Sequence, residues 1–197
     1  MRDIVLASNN AHKASEIEAM LGRDDVRVRT LADCGLASDP VEDADTFWGN
    51  ARIKARAAQA LAPGVAVLAD DSGLEVDALG GAPGVWSARF AGEDATDAAN
   101  NAKLFAELAD VPEGKRQARF VCELVFLDET GEETHVRGTI EGVIGFEERG
   151  DGGFGYDPLF YPDAYGHERS LAEATAEEKN AISHRGCAVR ALKEALA

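Results

Sequence analysis

Cysteine is scarce in this chain of 197 residues: Cys34, Cys122 and Cys187 are the only three, and none forms a C-x-x-C pair. An odd and scattered count argues against a disulfide framework. Cys122 stands in an apolar stretch and reads as a small buried residue. Long apolar runs are also missing, so no segment approaches membrane-spanning length. The opening residues do not follow the basic-then-apolar order of a secretory signal. Basic residues are few: 20 Lys and Arg face 36 Asp and Glu, for a net charge of −16. That balance argues against duplex nucleic acid, which needs a basic footprint, while a local basic pocket for a small anion stays open. The expectation is a soluble, cytoplasmic protein with no membrane and no nucleic-acid partner.

What is present is a core. Hydrophobic residues make up 45% of the chain, with eight Phe, three Tyr and two Trp for bulk, enough for one domain or two closely joined lobes. Ile4 to Ala7 reads as a short buried strand, followed by a turn and a helix with Ile17 and Leu21 on one face. Val26 to Thr30 alternates like a second strand. Thr46 is placed to cap a helix from Phe47 to about Leu61, and Val65 to Ala69 is an apolar strand that ends at Asp70 and Asp71. Thr96 caps a further helix, with Leu104, Phe105 and Leu108 expected to face inward. Gln117 to Asp128 and Glu133 to Ile144 suit an antiparallel hairpin. The tail is helical from about Thr175, with a break near His184, Arg185 and Gly186. Helices and strands alternate early and a hairpin comes later, which predicts an α/β fold: a mixed β-sheet flanked by helices.

Four clusters carry chemistry. Ser8 to Lys13 (SNNAHK) follows a strand and opens a helix, where free N–H groups, the helix dipole and Lys13 favour phosphate. Read alone it is better explained as an ordinary N-capping turn with an exposed lysine, since it lacks Walker A glycines. Asp70 and Asp71, with Ser72 and a turn-forming Gly73, suit a hard divalent cation and a water to be activated. Neighbours on extended backbone point opposite ways, so one acid could hold metal or water while the other pairs with a cation such as Lys54. Glu42 could add a ligand from a separate loop. Gly152 to Pro158 (GGFGYDP) would let backbone approach a flat ligand while a ring stacks on it, or would close the core as a tight aromatic turn. Glu177 to Arg185 gathers Lys179, Ser183, His184 and Arg185 near a helix end. His12, His135 and His167 lie in no metal-ligand spacing.

The order of these blocks resembles the inosine triphosphate pyrophosphatase family, the non-canonical purine NTP pyrophosphatases. The resemblance runs nearly end to end, through SNNAHK (8–13), ADDSGLEVDALGGAPG (69–84), SARFAG (87–92), RQARF (116–120), GGFGYDP (152–158) and EKNAISHR (178–185). It implies hydrolysis of ITP, dITP and XTP to the monophosphate and pyrophosphate with Mg2+. It implies a homodimer whose chains, residues 1–197, form one domain: an elongated mixed sheet in two lobes with an active-site cleft between them. By that resemblance Ser8, Asn9, Asn10, Ala11, His12 and Lys13 form the triphosphate loop. Asp71 is the catalytic acid and a metal ligand, Glu42 the second ligand, and Ser72 a substrate contact. Phe154, Gly155, Tyr156, Asp157, Lys179, His184 and Arg185 contact base and ribose-phosphate. One departure stands out. The family commonly shows F-x-E-N-A where this chain has FWGNA (47–51), so Gly49 replaces a glutamate at a helix propensity cost of roughly 1 kcal/mol against Ala, which packing of Trp48 would offset.

The mechanism expected from these residues is in-line attack of water on the α-phosphorus, with pyrophosphate leaving. Asp71, or Asp70 beside it, takes the proton, and Lys13 and Lys54 hold the β and γ phosphates. Arg185 and His184 donate to a 6-oxo group, where the 6-amino donor of adenine would leave buried donors unpaired at about 1–3 kcal/mol each. Two other readings belong beside it. One is a nucleotide-binding module that does not hydrolyse, favoured only by Gly49. The other is a pyrophosphatase for different modified nucleotides, as in the related Maf-type fold.

Overall fold

The computed structural model describes residues 2–197. Six strands hydrogen-bond in the order β2-β1-β3-β4-β5-β6, with β1 Arg2–Leu6, β2 Val26–Thr30, β3 Ala66–Val76, β4 Gln117–Leu127, β5 Glu133–Ile144 and β6 Phe160–Pro162. β1 runs parallel to both β2 and β3, and β5 runs antiparallel to β6. β4 and β5 are joined by a turn in which Asp128 N–H donates to the Glu132 carbonyl at 3.0 Å, while Ile144 N–H donates to the Arg116 carbonyl at 2.9 Å at the far end, an antiparallel hairpin as expected. The mixed sheet with flanking helices is therefore present. Among the described residues no helix is long and apolar enough to cross a membrane, and all three cysteines are free thiols.

The chain divides into two compact units, the first made of residues 1–71, 122–138 and 185–197, the second of residues 72–121 and 139–184. In the first, side-chain alternation along the strands sorts the core into two layers. Ile4, Leu6, Ala66 and Leu68 pack with Ala14, Ile17 and Leu21 of α1 (Ala11–Leu21) and with Ala188, Val189 and Leu192 of α5 (His184–Ala195). Val5, Ala7, Val67 and Ala69 point the other way, against Ala51, Ala55 and Ala58 of α2 (Phe47–Leu61). The alanine stripe, spaced i, i+4, i+7, brings the α2 backbone close to the sheet. α1 starts where the Asn10 side chain accepts from the N–H groups of His12 and Lys13, and stops at Gly22, whose φ of 59° is left-handed. The second unit packs Leu74 and Val76 with Leu104 and Leu108 at the C-terminal end of α3 (Asp97–Glu107), Phe120, Ile140, Ile144, Tyr156, Leu159, Phe160 and Leu171.

Two expectations are corrected. β3 does not end at Ala69 but continues to Val76, so Asp70 and Asp71 lie within a strand and Gly73 is buried strand backbone rather than a turn. Charge ends a buried strand only when nothing inside compensates it, and here cations do. Phe105 does not face inward: it is 38% exposed, whereas Leu104 and Leu108, one turn apart, are fully buried. Adjacent helix positions differ by about 100°, and the Leu pair takes the inner face.

Gly49 has a local explanation. A Cβ there would lie 2.5 Å from the Ala44 Cβ, and Ala44 cannot withdraw freely because its N–H donates to the Asn50 side chain at 3.0 Å. Helix propensity predicts that Gly49→Ala stabilises the fold by up to about 1 kcal/mol; we expect the opposite sign, a loss of about 1–3 kcal/mol typical of overpacking. A urea midpoint above that of the native chain would show that the Ala44 loop yields. Trp48, 43% exposed, does not fill the space of the missing side chain; its ring lies 5.2 Å from His135 and beneath Arg52.

Candidate active site

In the first unit, the polar turn after β1 is held by its own side chains. Ser8 Oγ accepts from Asn10 N–H at 3.1 Å, and Asn9 Oδ1 accepts from Ala32 N–H at 3.0 Å. Ala11 and His12 are exposed in the first turn of α1, and Lys13 leans inward from the same turn. A cavity of about 240 Å³ opens here, lined by Ala7, Ser8, Asn9 and Lys13 on one side and by Ser38, Asp39, Pro40, Glu42, Lys54 and Asp70 on the other. Two lysines and a helix start around one polar cavity make it receptive to a polyanion.

The adjacent acids are split by the strand period. Asp70 shares its face with Ala66 and Leu68, toward α1 and α5; Asp71 shares its face with Val67 and Ala69, toward α2. Asp70 is 2% exposed. Its Oδ1 accepts from Lys13 Nζ at 2.5 Å, and its Oδ2 from Arg185 Nε at 2.9 Å and Cys122 Sγ at 3.3 Å. Arg185, 1% exposed, also donates to Glu16 Oε2 at 2.6 Å. Burial alone would raise the Asp70 carboxyl, but Arg185 and Lys13 overturn it and hold the group well below the ordinary carboxylate range. Burial likewise would lower the Arg185 guanidinium, and Asp70 and then Glu16 hold it above its usual value. The Cys122 thiol is pushed well up by burial and by Asp70, and stays protonated.

Asp71 sits in the opposite electrostatic setting. Its Oδ1 accepts from Lys54 Nζ at 2.6 Å, and that ammonium is shared with Glu42 Oε2 at 3.0 Å. Burial raises the Asp71 carboxyl above its ordinary value against the pull of Lys54, and Glu42 adds to the rise. Lys54 is held above its own ordinary value, burial being outweighed by Asp71 and then Glu42. One cation divided between two carboxylates leaves Asp71 undercompensated, so it binds a proton more readily than Asp70 does. Two neighbouring acids with divergent affinities are how acid–base roles are separated. Among the described residues no group of three or more His, Cys, Asp and Glu converges as a metal cage. Glu42 and Asp71 do converge on one point, now held by the Lys54 ammonium. An oxygen pair of this kind fits Mg2+, which is held by one or two carboxylates together with waters and substrate phosphates.

In the second unit, the GGFGYDP loop folds around Asp157. Asp157 Oδ2 accepts from Phe154 N–H at 2.9 Å and from Lys179 Nζ at 2.8 Å. Gly153, φ 71°, is required: a Cβ there would lie 2.1 Å from that same Oδ2. The Phe154 ring, 38% exposed, lies 4.4 Å from Lys179 Nζ, a cation–π contact. Tyr156 is buried and its OH donates to the Ser87 carbonyl at 2.8 Å, so it serves the core. Gly155 N–H donates to Asp97 Oδ2 at 2.7 Å. Lys179 lies in α4 (Ala176–Ile182), which Thr175 and Glu178 close with a reciprocal capping box. His184 is 5% exposed and stacks on Phe120 with centroids 5.0 Å apart. Ser72 is half-buried in β3.

The predicted residues thus gather within each unit. Lys13 and Arg185 meet on Asp70, Lys54 joins Glu42 to Asp71, and Phe154 and Lys179 meet at Asp157. Arg185, expected at the base, is instead committed to Asp70 and Glu16. Sequence reasoning missed Glu16, although it lies three positions after Lys13 on the same helix and so shares its face. It also missed Asp39 in the cavity wall and Asp97 beneath Gly155, for which no spacing signal exists.

The sequence profile of the Ham1 family matches residues 4–195. A protein of Exiguobacterium sibiricum named dITP/XTP pyrophosphatase is 54% identical over 193 residues, covering 98% of this chain and 96% of its own. The structure of the Staphylococcus aureus Ham1 protein matches with a TM-score of 0.86 at 38% identity, covering 99% of this chain and 98% of that one. A HAM1 protein from Coxiella burnetii matches with a TM-score of 0.87 at 41% identity, covering 100% and 98%.

Proposed function

The chain belongs to the Ham1 family, and from that premise we propose that it is a nucleoside triphosphate pyrophosphatase. It hydrolyses dITP, ITP and XTP to the monophosphate and pyrophosphate and so clears deaminated purines from the nucleotide pool. On this reading residues 1–197 form one catalytic domain, acting in the cytoplasm as a homodimer. The observation that carries it is the pairing of unlike acids: Asp71, undercompensated on a shared Lys54, beside Asp70, locked as an anion by Lys13 and Arg185.

Asp71 is assigned as the group that accepts the proton of the attacking water, its carboxylate sharing the Lys54 ammonium with Glu42. Asp70, with both oxygens engaged by cations and a thiol, has no such freedom. Lys13 and Lys54, with Ser8 to His12 at the start of α1, receive the phosphates and neutralise the charge that grows on the leaving pyrophosphate. Glu42 and Asp71 would hold Mg2+, which when bound supplies charge neutralisation on phosphate oxygens. Ser72 contacts the substrate. Phe154, partly exposed, stacks on the purine ring, with Gly155 and Asp157 shaping that platform. Lys179 and His184 serve base and ribose-phosphate recognition, and Arg185 contributes by fixing Asp70.

The test is pyrophosphate release from dITP, ITP, XTP, ATP and GTP assayed side by side, with Mg2+ and with excess EDTA. We expect turnover of the first three, little of the last two, and none in EDTA. Binding of ITP without release would make the chain a nucleotide-binding module. A preference for other modified nucleotides would give it a different substrate class.

A further inference from the structure

We propose that Asp70 is a positioning residue that competes with the substrate's polyphosphate for Lys13, and so weakens the grip on pyrophosphate. The proposal rests on the pyrophosphatase reading above.

The two cations on Asp70 are not equivalent. Arg185 is enclosed, with its guanidinium side chain 2% exposed, and is tied at Nε to Asp70 and at Nη1 to Glu16. Lys13 is 18% exposed at the side chain, lies on a long flexible stem, and lines the 240 Å³ cavity together with Asp70 itself. An anion entering that cavity meets Lys13 already engaged, 2.5 Å from a carboxylate oxygen. Lys13 can turn toward phosphate only by loosening its bond to Asp70. Asp70 tolerates this because Arg185 stays, so the buried carboxylate is never left without a counter-charge. Asp70 therefore stands as an internal anion in the place of a phosphate oxygen, and polyphosphate affinity is the difference between two charge-assisted bonds rather than the whole of one. A pyrophosphate product held by lysines without such a rival would leave slowly.

The test reads the sign of a change. Binding of inorganic pyrophosphate is measured by calorimetry for the native chain and for Asp70→Asn, an isosteric change that removes the rival charge and leaves Arg185 paired with Glu16. Competition predicts a Kd lower by about tenfold, the scale of one charge-assisted hydrogen bond. An unchanged or higher Kd overturns the proposal, since a residue that merely shapes the site can only weaken binding when lost. If Asp70→Asn does not fold, the Lys13 ammonium is followed in the native chain by NMR, with Lys13→Arg identifying its signal. Pyrophosphate must shift that signal while the Arg185 Nε signal holds still; saturation without a Lys13 shift, or no pyrophosphate binding at all, overturns it. Failure of the pyrophosphatase reading shows separately, as absence of turnover in the nucleotide panel.

Discussion

Asp71→Asn is expected to fold as the native chain does and to lose turnover by about 10²- to 10⁴-fold, the range over which a positioned general base contributes. The amide keeps the shape of the carboxyl but cannot take a proton from water. The fold survives because Lys54 retains Glu42 at 3.0 Å and because Asp71 is the less well compensated of the two acids. Losing a carboxylate that the structure stabilises poorly costs little stability. The measurement is steady-state pyrophosphate release from ITP together with a urea midpoint on the same preparation. A kcat equal to that of the native chain, on a folded variant, removes Asp71 from the chemistry. A large fall in the urea midpoint would instead make it a structural anion, and the roles of the two acids would have to be exchanged.

Arg185→Ala should be the most damaging single change to the fold, lowering stability by about 3–5 kcal/mol, the cost of leaving a buried charge without its partner. Asp70 has 0% side-chain exposure and would lose the more enclosed of the two cations described, keeping Lys13 and the neutral Cys122 thiol. Glu16 would lose its bond as well. Out of an ordinary total of 5–15 kcal/mol that is a large share, and a clear drop in the urea midpoint should follow. Sequence reasoning assigns Arg185 to the base and predicts instead a narrowed preference for ITP over ATP. A variant as stable as the native chain, altered only in that ratio, would favour the base contact over the burial seen here.

The elements were legible where local physics decides them. Thr46 and Thr96 announce helices as side-chain caps, and each does accept from the first turn; Asn10 and Thr175, which the sequence marks only as the turn and the approximate start of helices, cap in the same way. The alternation of β4 and β5 announces the hairpin. β3 was cut short because no local rule tells that three cations wait for its acids. Lys54 is 17 residues from Asp71, but Arg185 is 115 from Asp70 and 169 from Glu16; such a pairing exists only once α5 has docked. The same distance explains Arg185 itself. From sequence it is a cation in a charged helical run, and only the fold shows it enclosed. From sequence Gly49 is a helix-propensity cost offset by Trp48 packing, because the proximity of Ala44 belongs to a loop without periodicity.

The ladder between β1 and β3 sets Leu6 against Leu68, and Ile4 against Ala66. That alignment decides more than packing. Were β3 displaced by a single residue, each of the two aspartates would arrive on the other's side. Because the cations each carboxyl faces set its proton affinity, Asp71 would then be the acid held by Lys13 and Arg185, and Asp70 the one sharing Lys54 with Glu42. Zipping β1 against β3 in phase is thus also the step that distributes chemical duties between twin side chains.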